Sequence, residues 1–240
     1  LIVGVIFGSQ FNANWSEILL MFNAQSFGTT DPQFGLDNGF YVFVLPGLKL
    51  VLAAVAMLLG VGLVFSVVTH VLMGGIRITM PVNGRGLFSI TKRCRRQLGI
   101  WLMLNMFAWA VRQMIGVFDQ LTVQGSRITG ASYTAVHANI PVTFIMAALT
   151  AILGVVLGIW LMRSHTLEGQ ASIGVRASAA LKAWRVPVTS IAVVVVVGLV
   201  LTVAWPVLLQ RFRVNPNAQE MESTYIQRNI DATRAAYGLD

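Results

Sequence analysis

Three polar residues recur at intervals of seven in and just after one apolar run, GIWLMLNMFAWAVRQMIGVF: Asn105, Arg112 and Asp119. A step of seven rotates a 3.6-residue helix by only about 20°, so the three project from nearly the same face. Ala108 and Gly116 lie between them, which makes that face small as well as polar. An arginine in hydrocarbon costs at least about 2.5 to 3.5 kcal/mol, so the face is expected to point into a helix bundle or a water-filled cavity, with Arg112 paired. Asp119 stands two turns from Arg112, about 10 Å along the axis. A partner on another helix is therefore an equal expectation. Two roles follow for Arg112: fixing helix packing or snorkelling, and lining a path for an ion or solute.

A second group of chemical interest is TKRCRR, in which Lys92, Arg93, Arg95 and Arg96 are expected to contact anionic lipid headgroups, each contributing about 1 kcal/mol near such a surface. Its plainer role is to fix topology. Cys94, among these cations, is expected to favour its thiolate. It is the single cysteine, so no internal disulfide forms. His70, His137 and His165 are too far apart in sequence for a zinc pattern. No HExxH, GxSxG or phosphate-binding loop occurs, and the lone Asn215-Pro216-Asn217-Ala218 lacks the paired arrangement of water channels. No catalytic, cofactor or metal site is expected from these residues.

The elements that position these groups follow from composition. Of 240 residues, 56% are hydrophobic and 11% charged, with a mean hydropathy of +0.73. That departs from a soluble domain, in which about a quarter of residues are charged. A membrane span needs about 20 mostly apolar residues. Four stretches meet this, Pro46 to Met73, Gly99 to Phe118, Pro141 to Met162 and Val186 to Leu209, and Leu1 to Gly8 reads as the outer end of another. Pro46, Pro141 and Pro187 are each expected at the start of a span, where a missing N–H costs nothing. The expected fold is an all-α, polytopic transmembrane helical bundle over residues 1–209, of four full spans plus the end of another. Residues 210–240 are expected to begin an extracytoplasmic region, with the chain continuing beyond them.

Orientation follows from the short basic loops. Residues 74–98 hold Arg77, Arg85, Lys92, Arg93, Arg95 and Arg96, and residues 163–185 hold Arg163, Arg176, Lys182 and Arg185. Both are expected in the cytoplasm. Residues 9–45 contain no Lys or Arg and residues 119–140 only Arg127, so these are expected outside. The net charge of +8 is thereby assigned to loops and anionic lipids, not nucleic acid.

Two connections show helical apolar stripes that suit either a membrane surface or packing on neighbouring spans. One is Trp15, Ile18, Leu19 and Phe22; the other is Ile173, Ala177, Ala180, Leu181 and Trp184. Gly154 and Gly158 form a GxxxG pair, a spacing that lets helices approach closely.

The outer loop preceding the first full span reads NAQSFGTTDPQFGLDNGFYVFVLP. Asp31, Pro32 and Gly35 are turn residues, the aromatic rings of FYVF suit a headgroup belt, and Pro46 opens the helix. This stretch, with TGASYTAVHANIP (129–141) and RFRVNPNAQEMESTYIQRNIDATRAAYGLD (211–240), resembles the uncharacterised protein family (UPF) 0182 of bacterial membrane proteins. The resemblance implies a multi-pass protein of the bacterial plasma membrane with a large extracytoplasmic region. It carries over no catalytic residue.

The leading expectation is a non-enzymatic envelope protein whose bundle anchors an outer domain. Its partners would be membrane lipids, that outer domain, and a homo-oligomer or envelope complex. The alternative is a transporter or channel that uses the Asn105, Arg112, Asp119 face.

Overall fold

The computed structural model describes residues 2–78, 88–123, 130–164 and 173–239. Helix dominates. In chain order the elements are α1 (Ile2–Phe22), α2 (Leu45–Leu72), the strands β1 (Ile76–Ile78) and β2 (Phe88–Ile90), α3 (Lys92–Gly116), α4 (Ile140–Arg163), α5 (Ile173–Leu199), α6 (Trp205–Leu209) and α7 (Ala218–Ala236). The two strands form a small antiparallel ribbon in which Ile76 opposes Ile90. Four helical runs are long and apolar enough to cross a membrane: Phe40–Leu72, Lys92–Leu121, Ala135–Arg163 and Trp184–Val214. Large apolar side chains on these runs face outward, as in Phe65 and Phe107, each 62% exposed. Such an exterior suits a hydrocarbon solvent rather than water.

The runs extend past their apolar cores, and proline explains how. Four wide π-helical turns, Phe40–Val44, Ala135–Asn139, Val200–Ala204 and Gln210–Val214, are each followed by one residue and then by Pro46, Pro141, Pro206 or Pro216. A helical proline collides with the carbonyl four residues before it. Here that carbonyl belongs to Val42, His137, Thr202 or Phe212, the middle residue of the π turn in every case. The residue just before each proline donates its N–H five residues back, as from Leu45 to the Phe40 carbonyl. Widening the turn thus makes room for the ring and carries the helix through Pro46, Pro141 and Pro206, whereas at Pro216 the run ends at Val214 and a turn precedes α7.

Two sequence expectations can be set against these elements. Ile2–Phe22 is not one regular helix: a kink at Asn14, whose φ of −124° and ψ of 17° lie outside the helical range, divides it into two segments, the second carrying the Trp15 stripe. Pro187 stands near the start of the apolar run Trp184–Val214, but it does not open a helix. It lies inside α5, which joins the expected surface helix and the last span in one rod. Of the second stripe, the side chains of Ile173, Ala177, Ala180 and Leu181 lie outside the described residues, as do Arg85, Arg127 and His165. Trp184 packs on Trp160 with ring centroids 5.1 Å apart.

The chain divides into two compact units, one of Leu1–Ala54, Val111–Met146 and Gly198–Asp240, the other of Val55–Ala110 and Ala147–Val197. In the second unit α3 and α4 approach through glycine. A Cβ on Gly154 would stand 2.4 Å from Met106 Cβ, and one on Gly158 would stand 2.4 Å from Met103 Cγ and 2.9 Å from the Gly99 carbonyl oxygen. The GxxxG spacing is therefore a close crossing. Ile90, Cys94 and Leu98 form a buried cluster with Leu63, Ile76 and Leu161 packed around it.

In the first unit the core gathers round the turn Ala135–Asn139, where Ala135, Ala138, Ile140 and Val214 are buried. Helix α7 is tied to this core through its one buried acid. The Tyr133 N–H donates to Glu222 at 3.2 Å, Glu222 being 6% exposed. The Thr134 hydroxyl bonds the Gln210 side chain next to it. His137 stacks on Tyr133 with centroids 4.0 Å apart, and Tyr225 meets the same ring edge-on.

Candidate functional site

In the first unit α1, the start of α2 and the end of α3 border a half-open cavity of about 410 Å³. Asn14, Glu17, Tyr41, Lys49, Asp119 and Thr122 supply its polar wall, and Leu45, Pro46 and Leu50 its apolar wall. Its central contact is an ion pair: the Lys49 ammonium donates to both oxygens of Asp119, at 2.8 and 2.9 Å. The two side chains are 47% and 36% exposed. At that exposure, a pair in contact with water is worth about 0 to 1 kcal/mol, so stability alone gives it little purpose.

Local chemistry places each member. Asp119 lies in the short 3-10 turn Val117–Leu121 that ends α3, and its carbonyl accepts from both the N–H and the hydroxyl of Thr122. Beside it Phe118 meets Phe34 and Phe40 edge-on, with centroids 5.0 and 5.3 Å apart. The loop that supplies Phe34 is itself organised by Asp31. One Asp31 oxygen accepts the N–H groups of Gln33 and Phe34, and the other accepts the Leu36 N–H and the Tyr41 hydroxyl at 2.7 Å. Burial pushes the Asp31 carboxyl up, but the Phe34, Tyr41, Gln33 and Leu36 hydrogen bonds together outweigh it and hold it below its ordinary value. Asp37 braces the other side of the loop. Bonds from the Ser26 hydroxyl and from the Phe27, Gly39 and Gly28 N–H groups bring its carboxyl down to about 2.

Glu17 differs from these acids. It lines the cavity, and it makes no hydrogen bond or ion pair with any described residue. It is held there by a close approach of backbones, since a Cβ on Gly47 would stand 2.8 Å from the Glu17 carbonyl oxygen and 2.8 Å from Met21 Cβ. On α1 the Trp15, Leu19 and Phe22 side chains are exposed while Asn14, Glu17 and Met21 are half-buried. The polar face therefore turns inward, the reverse of a helix on a soluble protein.

The residues at intervals of seven part company. Asp119 joins Lys49, as above. Asn105, in the second unit, donates from its amide to the Trp101 carbonyl at 2.8 Å and to the Leu59 carbonyl of α2 at 3.2 Å, which fastens α3 to α2. Arg112 is exposed, and none of the described residues supplies the expected pairing.

In the basic cluster Lys92, Arg93 and Arg96 are exposed, but Arg95 is completely buried, which corrects its assignment as a headgroup contact. Cys94 is also completely buried, among Ile90 and Leu98. Enclosure by apolar side chains removes it from acylating and redox partners, contrary to the reactive thiolate expected from its neighbours.

Lys49, Glu17 and Glu222 were not singled out in the sequence. Lys49 had a usable signal: it is the sole Lys, Arg, Asp or Glu between Pro46 and Gly75. Glu17 had only its place on the face of α1 opposite the apolar stripe.

The model of the Uncharacterised protein family (UPF0182) matches residues 1–240. A UPF0182 protein of Bifidobacterium adolescentis is 80% identical over 240 residues, which are 100% of this chain and 22% of that protein. One from Kocuria rhizophila is 36% identical over 243 residues, with 100% of this chain and 22% of the relative covered. One from Corynebacterium glutamicum is 33% identical over 237 residues, covering 99% and 22%. The chain thus spans about a fifth of the length of these relatives. No solved structure matches it.

Proposed function

The chain belongs to the uncharacterised protein family UPF0182, and from that premise we propose that it is a multi-pass membrane bundle of the bacterial cell envelope that anchors and orients a large outer region. The observation that carries this reading is the seat of α7. This helix follows the last apolar run, and it is fastened by the buried Glu222 to the Tyr133 backbone. A helix held at its first turns leaves the bundle in a set direction. A loose linker would not specify one. Relatives about 4.5 times as long as this chain supply a region to be positioned. The assignment of residues 74–98 and 163–185 to the cytoplasm, with 9–45, 119–140 and 210–240 outside, belongs to the same proposal and rests on the loop charges. Lys92, Arg93 and Arg96 would then meet anionic headgroups. A homo-oligomer or envelope complex would join through the outer region.

The test uses the full-length protein in lipid, with spin labels on α4 at residue 143 and on α7 at residue 230. A narrow distance distribution that broadens in Glu222→Ala is expected. A broad distribution in the unaltered protein would remove the anchor reading. Transport along the Asn105, Arg112 and Asp119 face is the competing account, and it is favoured by Arg112 being exposed and bonding no described residue. It requires that cysteines placed at 105 or 108 react with a water-soluble thiol reagent. If neither reacts from either side of the membrane, that account is dropped.

A further inference from the structure

The cavity beside Lys49 and Asp119 is furnished beyond what an anchor requires. Its volume of about 410 Å³ falls at the lower end of the range of about 300 to 1,000 Å³ typical of small-molecule sites. That is far more than a bare ion fills. Its formal charge is negative, because Glu17 and Asp119 face a single cation, Lys49. The site also displays the chemistry that it recognises: Lys49 brings a primary ammonium onto Asp119 with two hydrogen bonds, at 2.8 and 2.9 Å. Glu17 offers a second carboxylate to the same space and has no partner among the described residues. Beside it Asn14 and Thr122 add short-range acceptors, while Leu45, Pro46 and Leu50 add hydrocarbon.

The bend in α1 belongs to the same feature. Asn14, whose backbone angles are non-helical, is also a wall residue, so the helix departs from regularity where it borders the cavity. Irregular helical geometry at a cavity is a recurring property of ligand sites in membrane proteins.

We propose that this cavity binds a primary ammonium group carried on a short hydrocarbon, with Glu17 as its counter-ion. The group is an aminophospholipid headgroup or a soluble amine. In the first case the lipid phosphate supplies a negative charge for Lys49, and the pair with Asp119 opens to admit it. In the second the apolar wall receives the hydrocarbon. A quaternary ammonium has no N–H to donate, so the site discriminates against it.

The experiment uses full-length protein in nanodiscs of equal phosphatidylethanolamine and phosphatidylcholine, with retained lipids counted by native mass spectrometry. Wild type is expected to retain phosphatidylethanolamine about tenfold over phosphatidylcholine, the worth of one charge-assisted hydrogen bond. Glu17→Gln is expected to lose that preference. In phosphatidylcholine alone, added butylamine that raises the melting temperature of wild type but not of Glu17→Gln identifies the soluble amine as the source. Leu50→Phe, which fills the cavity and leaves every charge in place, repeats both readings should Glu17→Gln fold poorly. Absence of both effects in wild type, or their persistence in the variants, overturns the proposal. Neither result bears on how α7 is seated, so the anchor reading is tested separately.

Discussion

The loop of residues 26–39 and the cavity it adjoins both contain acids close to the end of an apolar helix, and they treat those acids in opposite ways. In the loop, Asp31 accepts three backbone N–H groups and a hydroxyl, and Asp37 also accepts three N–H groups and a hydroxyl. In the cavity, Asp119 has only the Lys49 ammonium on its carboxylate and Glu17 has no described partner. A carboxylate filled by its own backbone has no capacity left for a ligand, and one left open does. Acid content alone therefore says little. What distinguishes structure from chemistry here is how many lone pairs remain.

The sharpest way to break this comparison is to remove a filled acid. Asp31 is 6% exposed, and Asp31→Ala would leave the N–H groups of Gln33, Phe34 and Leu36 and the Tyr41 hydroxyl without their acceptor. The expected loss is about 2 to 4 kcal/mol, the range for a buried hydrogen-bond network losing its hub. It is read as a fall in melting temperature of the full-length protein in detergent. Because Phe34 and Tyr41 border Phe118, the accessibility of Lys49 to amine-reactive reagents should rise as well. An unchanged melting temperature would mean that the loop is not a structural brace.

A smaller effect should come from pH. The Asp37 carboxyl falls to about 2 from an ordinary 3.8 because of its hydrogen bonds, the one from Ser26 first. A depressed folded-state value stabilises the loop above the unfolded value and loses that contribution as pH falls. The window is thus from about pH 4 down to about pH 2. Hydrogen exchange at the amides of Phe27, Gly28 and Gly39, corrected for the intrinsic acid dependence, should accelerate across it. Exchange protected equally at both ends would show that these bonds do not depend on the carboxylate.

The sequence revealed these regions unequally, for physical reasons. The turn at Asp31-Pro32 and Gly35 is local chemistry, and Gly35 does take a positive φ of 69°. The reach from Asp31 to Tyr41 is not local, because it depends on the π turn that carries Tyr41. Apolar runs disclosed the spans, whereas the starts at Pro46 and Pro141 were placed late because a wide turn carries the helix through each of these prolines. Pro187 likewise sits near the start of its apolar run, but inside α5. Lys49 escaped notice because a cation is ordinarily weighed as a loop charge that sets orientation, and its partner is 70 residues away. The intervals of seven did locate Asp119, but periodicity describes one helix and cannot say which neighbour meets each residue. Asn105 bonds α2, and Arg112 bonds no described residue.

The smallest expected effect is the one that sharpens the comparison most. Glu17→Gln keeps the shape and polarity of the side chain and removes only its charge. An acid that holds nothing in place should be dispensable to the fold, so the melting temperature in detergent should correspond to a change within about ±0.5 kcal/mol. The contrast with Asp31→Ala is then at least several-fold in stability, although both side chains are carboxylates in the same unit. A large loss on Glu17→Gln would mean that its carboxylate is already held by the protein, and the division between filled and open acids would fail at its open end. A null effect on folding, set beside a lost preference for primary ammonium, would instead assign the charge of Glu17 to a partner outside the chain.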